Sequence, residues 1–500
     1  MQRARRLRLI LLVLSGCILF SIHQQIARWF QNPLAQQEFD FHNDHHRHPG
    51  IPVHDHGDGD EEEEAGDSDG GLTGPSSAPL VQLPFFCQSH ECAHGKWIPR
   101  QPPFESLQHL QTVYANLYHP VWSGCGLVPG TYPDDDEAEK TRLKGQRLVD
   151  VLNWEWAPDR GVVMEYDTVD FVVRMLKSPG GLVLIGDSIS TQHWHAIYYT
   201  FRHLNITFAS NPKHLPLAGV PNVEQFVLSK NSPMTKILQE KAGVPQSRME
   251  RPFFTLLEEH MGLDENDIRR ITNAKPDYEW KHRFRGVEGW EDHLKWLAMP
   301  REGEEESVTE DTLVMYNAGA HWSRHELAML RAPTYAEEQI LLEESYQRLI
   351  DLITSRLSPI EQTSIYYRST SPGHPNCEGH HEPYKDMADA RHNEQNLVDR
   401  LMAGVSTPGE KQMRNRWDWD LFKPHNNMWN LTIQSLMQRR PENSKSAKWH
   451  YFDVWDLSIQ RPDAHLNPGQ DCLHWCLPTV FDDWTRLFYH RVNLDEGRAN

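Results

Sequence analysis

Two short segments far apart in the chain carry residue types that could do acyl chemistry together. One is Gly186-Asp187-Ser188, which follows the apolar run Leu182-Val183-Leu184-Ile185. The other is Asp471-Cys472-Leu473-His474-Trp475-Cys476, with an acid and a base at i and i+3. A serine delivered by a tight turn onto a helix N-terminus sits among outward-pointing N–H groups and at the positive end of the helix dipole. Such a serine can be a nucleophile whose oxyanion intermediate is met by main-chain donors. It needs a base, and the base needs an orienting acid. Asp471 and His474 are expected on the same side of one helical turn, with the carboxylate holding Nδ1–H while Nε2 faces Ser188. Asn317, in Asn317-Ala318-Gly319-Ala320-His321-Trp322, follows a second apolar run and offers a side-chain amide to an oxyanion. Each feature alone is more often structural: Ser188 would be an ordinary N-cap, and Asp-x-x-His occurs by chance in most chains of this length. Their conjunction in this order is much rarer.

The elements that must position these residues are legible as a pattern. The run from Gly181 reads as a buried parallel strand, with a helical segment from Thr191 to His203 after it. Tyr166 to Leu176 also reads as a helix. Further strands are expected at Thr312–Asn317, Ser364–Arg368 and Trp449–Val454. Thr334 to Leu357 is an amphipathic helix with Leu342, Tyr346, Leu349, Ile350, Ile353 and Leu357 on one side. Strands alternating with helices predict an α/β fold whose parallel sheet is covered on both faces. Chemistry in such sheets collects at the C-terminal strand ends, where Ser188, Asn317 and Arg368 fall. The stretch from about Pro212 to Glu310 reads as a polar, irregular insertion.

Residues 1–8 read as a cytosolic tail bearing Arg3, Arg5, Arg6 and Arg8, and residues 9–26 as a single-pass signal anchor. A cleaved signal peptide is the alternative. Residues 27–84 read as a disordered acidic and His-rich stem, and residues 85–500 as the folded domain. The His42–His48 tract suits a solvated tether better than a metal site. Nine acidic residues and no basic one lie between Asp55 and Asp69, and the formal net charge of the chain is −20. That balance excludes a nucleic-acid partner.

Of seven cysteines, Cys17 lies in the apolar run. Cys87, Cys92, Cys125, Cys377, Cys472 and Cys476 remain, an even set that suggests three disulfides in a lumenal domain. The spacing leaves the pairing open. At least one of Cys472 and Cys476 is expected to bond to another loop, because they bracket His474. Zinc is the rival reading of the close pairs, and His90-Glu91-Cys92-Ala93-His94 matches H-E-x-x-H. That motif needs a helix, which Gly95 and Pro99 oppose, so no metal is expected. Asn205-Ile206-Thr207 and Asn430-Leu431-Thr432 are glycosylation sequons.

Four blocks together resemble the trichome-birefringence-like/PC-esterase family of the SGNH (GDSL) hydrolase-like superfamily. They are Gly186-Asp187-Ser188, Asn317-x-Gly319-x-His321-Trp322, Tyr367-Arg368-Ser369-Thr370-Ser371-Pro372-Gly373-His374, and Asp471-Cys472-Leu473-His474-Trp475-Cys476-Leu477-Pro478. The resemblance runs from about Cys87 to Phe488. It implies a three-layer α/β/α fold with a central parallel sheet and a disulfide-stapled N-terminal lobe, behind a short anchor and a variable stem. It implies Ser188, Asp471 and His474 as the triad. Ser188 N–H and Asn317 would serve the oxyanion, with Gly186, Asp187, Gly319, His321, Arg368 and His374 around it and the substrate. Plant members of that family are Golgi O-acetyltransferases of cell-wall polysaccharides. The implied protein is a type II membrane enzyme with a lumenal domain and a glycan acceptor. No cofactor is bound, since P-loop and G-x-G-x-x-G motifs are absent. An acyl donor is required, and a membrane protein that supplies acetyl groups is an expected partner. Three departures stand out: Ala320 lengthens the usual Asn-x-Gly-His-Trp, no Arg follows Ser188 closely, and residues 212–310 have no match. A carbohydrate acetyl esterase would use the same triad, and an inactive glycan-binding protein would keep the same shape.

Overall fold

The apolar run that ends at Gly186 is the central strand of a seven-stranded sheet. The computed structural model describes residues 85–114, 125–132, 136–279, 285–395, 398–399, 402–404 and 418–498. The tail, the anchor expected at 9–26 and the stem to residue 84, with Cys17 and the His42–His48 tract, lie outside the described residues. Among the described residues no helix is long and apolar enough to cross a membrane.

The strands are β1 Gly95–Pro99, β2 Trp154–Pro158, β3 Leu182–Gly186, β4 Phe208–Ser210, β5 Val223–Leu228 and β6 Phe254–Glu258. They continue with β7 Thr312–Tyr316, β8 Thr363–Arg368, β9 Lys448–Phe452, β10 His465–Asn467 and β11 Asp471–Trp475. The longer helices are α1 Leu107–Tyr114, α2 Glu137–Leu152, α3 Thr168–Leu176, α4 Ser188–His203 and α5 Pro233–Ala242. After them come α6 Glu265–Thr272, α7 Trp290–Ala298, α8 Tyr335–Leu357, α9 Phe422–Arg439 and α10 Thr479–Asp495.

The main sheet runs β4-β5-β6-β3-β7-β8-β9. Strands β6, β3, β7, β8 and β9 are parallel, whereas β5 is antiparallel to both β4 and β6. Alternate residues of each central strand feed different layers, as the two-residue strand period requires. Leu182, Leu184, Leu313 and Met315 pack with Phe171 of α3, Ile189 of α4 and Trp484 of α10. Val183, Ile185, Val314 and Tyr316 pack with Leu294 of α7, Leu349 of α8 and Trp429 of α9. This double cover explains why β3 is apolar throughout, and it gives the three-layer α/β/α architecture.

The insertion expected at 212–310 is wrong in kind. That stretch supplies β5 and β6, and β6 is the direct neighbour of β3. The buried polar Gln225 interrupts the apolar pattern of β5 and hides the strand. It bonds Pro216 O and the His293 ring instead of packing on carbon. The chain therefore leaves β3 towards β6 on one side and returns to β7 on the other. That arrangement creates a topological switch point at the carboxyl ends of β3 and β7, where open α/β sheets place their ligands.

Glu259 follows β6 at this end, and its N–H donates to Gly186 O at 2.8 Å. Its side chain is 3% exposed, and Oε2 accepts the Val287 N–H at 3.0 Å. Burial pushes the carboxyl up to about 8, against the pull of the Val287 and Met261 amides. The folded chain thus keeps a proton that the unfolded chain releases near the ordinary glutamate value. Folded protein binding more protons means that stability falls as pH rises between those two values. Glu259→Gln keeps the accepting oxygen and cannot ionise. Its melting temperature is expected to match wild type at pH 4 and exceed it by roughly 5 °C at pH 8. Equal pH dependence of the two proteins in calorimetry would refute this.

Candidate active site

Strand β3 delivers Ser188 as the first residue of α4, with Asp187 as the N-cap whose Oδ1 accepts the Ile189 N–H at 3.0 Å. Asp187 is the cap, not Ser188, so the serine hydroxyl is released from capping. It sits where the first N–H groups of the helix lack intrahelical acceptors. Gly186 has no alternative here: a Cβ would collide with Ser190 Oγ and come within 2.9 Å of the Asn317 carbonyl oxygen.

Ser188 Oγ lies 2.7 Å from His474 Nε2, and His474 Nδ1 lies 2.7 Å from Asp471 Oδ2. The three side chains expected to act together are brought into one hydrogen-bonded row. The local structure that does this differs from the helical turn expected. Asp471 and His474 lie on β11, paired antiparallel with β10 in an irregular register. Asp471 Oδ1 accepts the N–H groups of Leu473 and His474 at 3.2 and 3.0 Å, folding the chain back on the carboxylate. This Asx-type turn brings ring and acid together as a helix would have. Burial pushes the Asp471 carboxyl up, but the adjacent imidazole and the two amides outweigh it and hold the group well below the usual carboxylate range.

The β10–β11 hairpin is tied to α4 by Gln192 and to two loops by disulfides. Gln192, one turn after Ser188, donates to Trp475 O at 2.8 Å and accepts the Trp475 N–H at 3.2 Å. Cys472 is bonded to Cys377, and Cys476 to Cys125. Behind the base, His465 Nδ1 lies 3.0 Å from His474 O, and His465 Nε2 lies 2.6 Å from His374 Nδ1. Burial drives both imidazoles towards the neutral form. The remaining pair, Cys87 and Cys92, is a disulfide within one turn. In the H-E-x-x-H segment His94 Nδ1 is 2.8 Å from Asp456 Oδ2, and β1 rather than a helix begins at Gly95.

A profile of the family described as PC-Esterase, the GDSL/SGNH-like acyl-esterase family found in Pmr5 and Cas1p, matches residues 291–491. Protein trichome birefringence-like 9 of Arabidopsis thaliana is 22% identical over 387 residues, 71% of this chain and 76% of that protein. Residues 291–491 are similar to the PC-esterase family. Shorter similarities are stronger locally. Protein trichome birefringence-like 39 of the same plant is 48% identical over 46 residues, 8% of this chain and 12% of that protein. Xylan O-acetyltransferase 3 of Oryza sativa subsp. japonica is 30% identical over 81 residues, 12% of this chain and 18% of that protein. The chain thus spans well under two thirds of the length of some of these relatives.

The remaining residues expected around the substrate are distributed less simply. The Asn317 amide donates to Arg368 O at 2.9 Å and Thr370 Oγ1 at 3.1 Å, so in this arrangement both its hydrogens are engaged. Gly319 lies so close to Thr370 that a Cβ there would overlap its hydroxyl. His321 is partly exposed and stacks on His260 with ring centroids 4.0 Å apart. Arg368 and His374 do not reach a substrate surface. Arg368 is 1% exposed, lies over the Trp484 ring and donates to Ser190 Oγ at 3.2 Å. An arginine therefore does stand beside the helix start, though it comes from β8. His374 is fully buried against His465 and Ile459 O, so it positions the hairpin. Asn205 follows α4 in a left-handed turn, whereas Asn430 lies inside α9, where its Oδ1 accepts from Gln434. Gln192 and His465 were missed. Gln192 had a signal, one helical turn after the serine, but His465 had none short of knowing the hairpin.

Proposed function

We propose that this chain is a polysaccharide O-acetyltransferase working through an acyl-Ser188 intermediate. The observation that carries the reading is the row Ser188 Oγ–His474 Nε2 and His474 Nδ1–Asp471 Oδ2, each step 2.7 Å, at the switch point of the sheet. In the first half-reaction His474 Nε2 takes the hydroxyl proton as Oγ attacks the acetyl carbonyl of a donor ester. The Ser188 N–H, at the positive end of α4, meets the developing oxyanion. His474 then returns the proton to the leaving group. In the second half-reaction a sugar hydroxyl gives its proton to His474 and takes the acetyl group, the bond to Ser188 Oγ breaks, and His474 returns the proton to Oγ. Asp471 stays ionised throughout and holds the imidazole in the Nδ1–H tautomer. A relative named as a xylan O-acetyltransferase supports xylan-like chains as the first acceptors to try. The same reading assigns a secretory, Golgi-type compartment, with residues 9–26 as the anchor and an acetyl donor supplied from outside the chain. The three disulfides of the folded domain favour an oxidising compartment.

The test is to incubate the full-length, detergent-solubilised protein with p-nitrophenyl acetate and map acetylated peptides, with and without a xylo-oligosaccharide. An acetyl group on the Ser188 peptide that passes to sugar is the expected result. Passage only to water would make the protein an esterase. An acetyl-free Ser188 peptide during turnover would sink the acyl-serine reading.

A further inference from the structure

Below the end of β8 and against the first turns of α9 lies an open cavity of about 530 Å³. Its walls include Gly373, Trp419, Lys423, Asn427, Trp455 and Ile459. The volume is in the range of roughly 300–1,000 Å³ that small-ligand sites occupy. Two indoles give it large apolar walls. The Asn427 amide, the Lys423 ammonium and the carboxyls of Glu394 and Asp420 give it hydrogen-bonding groups without a single sign of charge. Lys423 Nζ is 5.9 Å from the Trp455 ring centroid. Glu394 is 3% exposed, with Oε1 accepting the Tyr384 hydroxyl at 2.7 Å and Oε2 without a partner among the described residues.

Trp419 is set by its neighbours, because a Cβ on Gly373 would collide with the indole. Packing and a backbone hydrogen bond link the cavity to the hairpin that carries Asp471 and His474. Leu473, between the acid and the base, packs against the apolar cluster that holds Trp455 and Ile459, as Trp419 does. Ala320, the residue that lengthens the Asn317–Trp322 loop, is buried in the same cluster. His374, next to Gly373, donates its N–H to Cys472 O at 2.9 Å. One wall of the cavity and the hairpin carrying the base are thus one packed unit.

Aromatic walls with scattered amide, ammonium and carboxyl groups match a pyranose, which has apolar C–H faces and a rim of hydroxyls. A lipid chain leaves the polar groups unmatched, and a polyanion meets two carboxyls. We propose that this cavity is a saccharide subsite. It holds neutral sugar units of the acceptor beside the unit whose hydroxyl is acylated. The direction of the chain towards Ser188 rests on the acyl-serine reading, but sugar binding itself does not.

The test uses full-length protein carrying Ser188→Ala, titrated calorimetrically with short and long xylo-, manno- and gluco-oligosaccharides. Affinity for at least one series is expected to rise with chain length. Trp419→Ala is expected to weaken it by about tenfold or more, the scale of a removed aromatic anchor. Asn427→Trp, at an exposed position of α9, fills the space without cutting into the core and should weaken binding equally. It decides the matter if Trp419→Ala melts at a lower temperature. Binding by none of the three series, or binding unchanged by Asn427→Trp, would overturn the proposal. Absence of acetyl-Ser188 in the parent protein would overturn only the acyl-serine reading, since the titration needs no turnover.

Discussion

Ser188→Ala is expected to abolish acetyl-enzyme formation and lower turnover by at least about a thousand-fold, with little change in melting temperature. His474→Ala should do the same, and the double variant should be hardly worse than either single one, because the row acts as one unit. Stability should hold because Asp187, not Ser188, caps α4. Asp187→Ala, by contrast, removes the bond to the Ile189 amide and should cost about 1 kcal/mol of stability. Asp471→Asn should cost somewhat less turnover than loss of the base. Its amide still accepts from Leu473 and His474, but it no longer fixes the imidazole tautomer. Oligosaccharide acylation and p-nitrophenyl acetate hydrolysis are the measurements, with unfolding curves alongside. A Ser188→Ala protein that turns over within tenfold of wild type would remove the nucleophile from the mechanism.

How much of this was open to sequence reading depends on how local each signal was. Strand β3 was legible because both its faces are buried, so four apolar residues run unbroken into Gly186. Helix α8 was legible from its apolar stripe, and the structure adds a capping box between Thr334 and Glu337. Strands β5 and β6 were not legible. Each is short, and in β5 the buried Gln225 looks like a surface residue until its partners in Pro216 and His293 are known. At the site, the identities of acid and base could be read from Asp-x-x-His, but not the means of joining them. An i,i+3 spacing fits a helical turn and an Asx turn equally, and only the pairing of β10 with β11 chooses between them. Arg368 and His374 show the opposite failure. Charged and basic residues inside a motif block read as substrate contacts, yet tertiary packing buries both behind the residues that face the cleft.

The second large effect is expected from the disulfide between Cys125 and Cys476. It closes 351 residues, and Cys377–Cys472 closes 95 within that span, whereas Cys87–Cys92 closes 5. If the main contribution is lost freedom of the unfolded chain, the Cys125–Cys476 closure contributes about 6 kcal/mol, Cys377–Cys472 about 5 kcal/mol and the short one about 2 kcal/mol. For a domain stable by about 5–15 kcal/mol, either long closure is a large share. The two long ones nest, so removing both should cost less than the sum. Their effects on chemistry should differ. Near Cys476 the chain is also held by Arg147, which donates to Gly126 O, Asp463 O and His465 O at 2.7–2.9 Å. Cys125→Ala with Cys476→Ala should therefore lose stability while keeping most of kcat. Cys472 stands between Asp471 and the turn that presents His474, so Cys377→Ala with Cys472→Ala should lower kcat as well. Urea unfolding beside acetyl-transfer rates reads both quantities. A loss below about 1 kcal/mol in the Cys125/Cys476 variant would mean that the unfolded chain is already restrained there. An unchanged kcat in the Cys377/Cys472 variant would mean that Gln192 and the Asx turn alone hold the base in place.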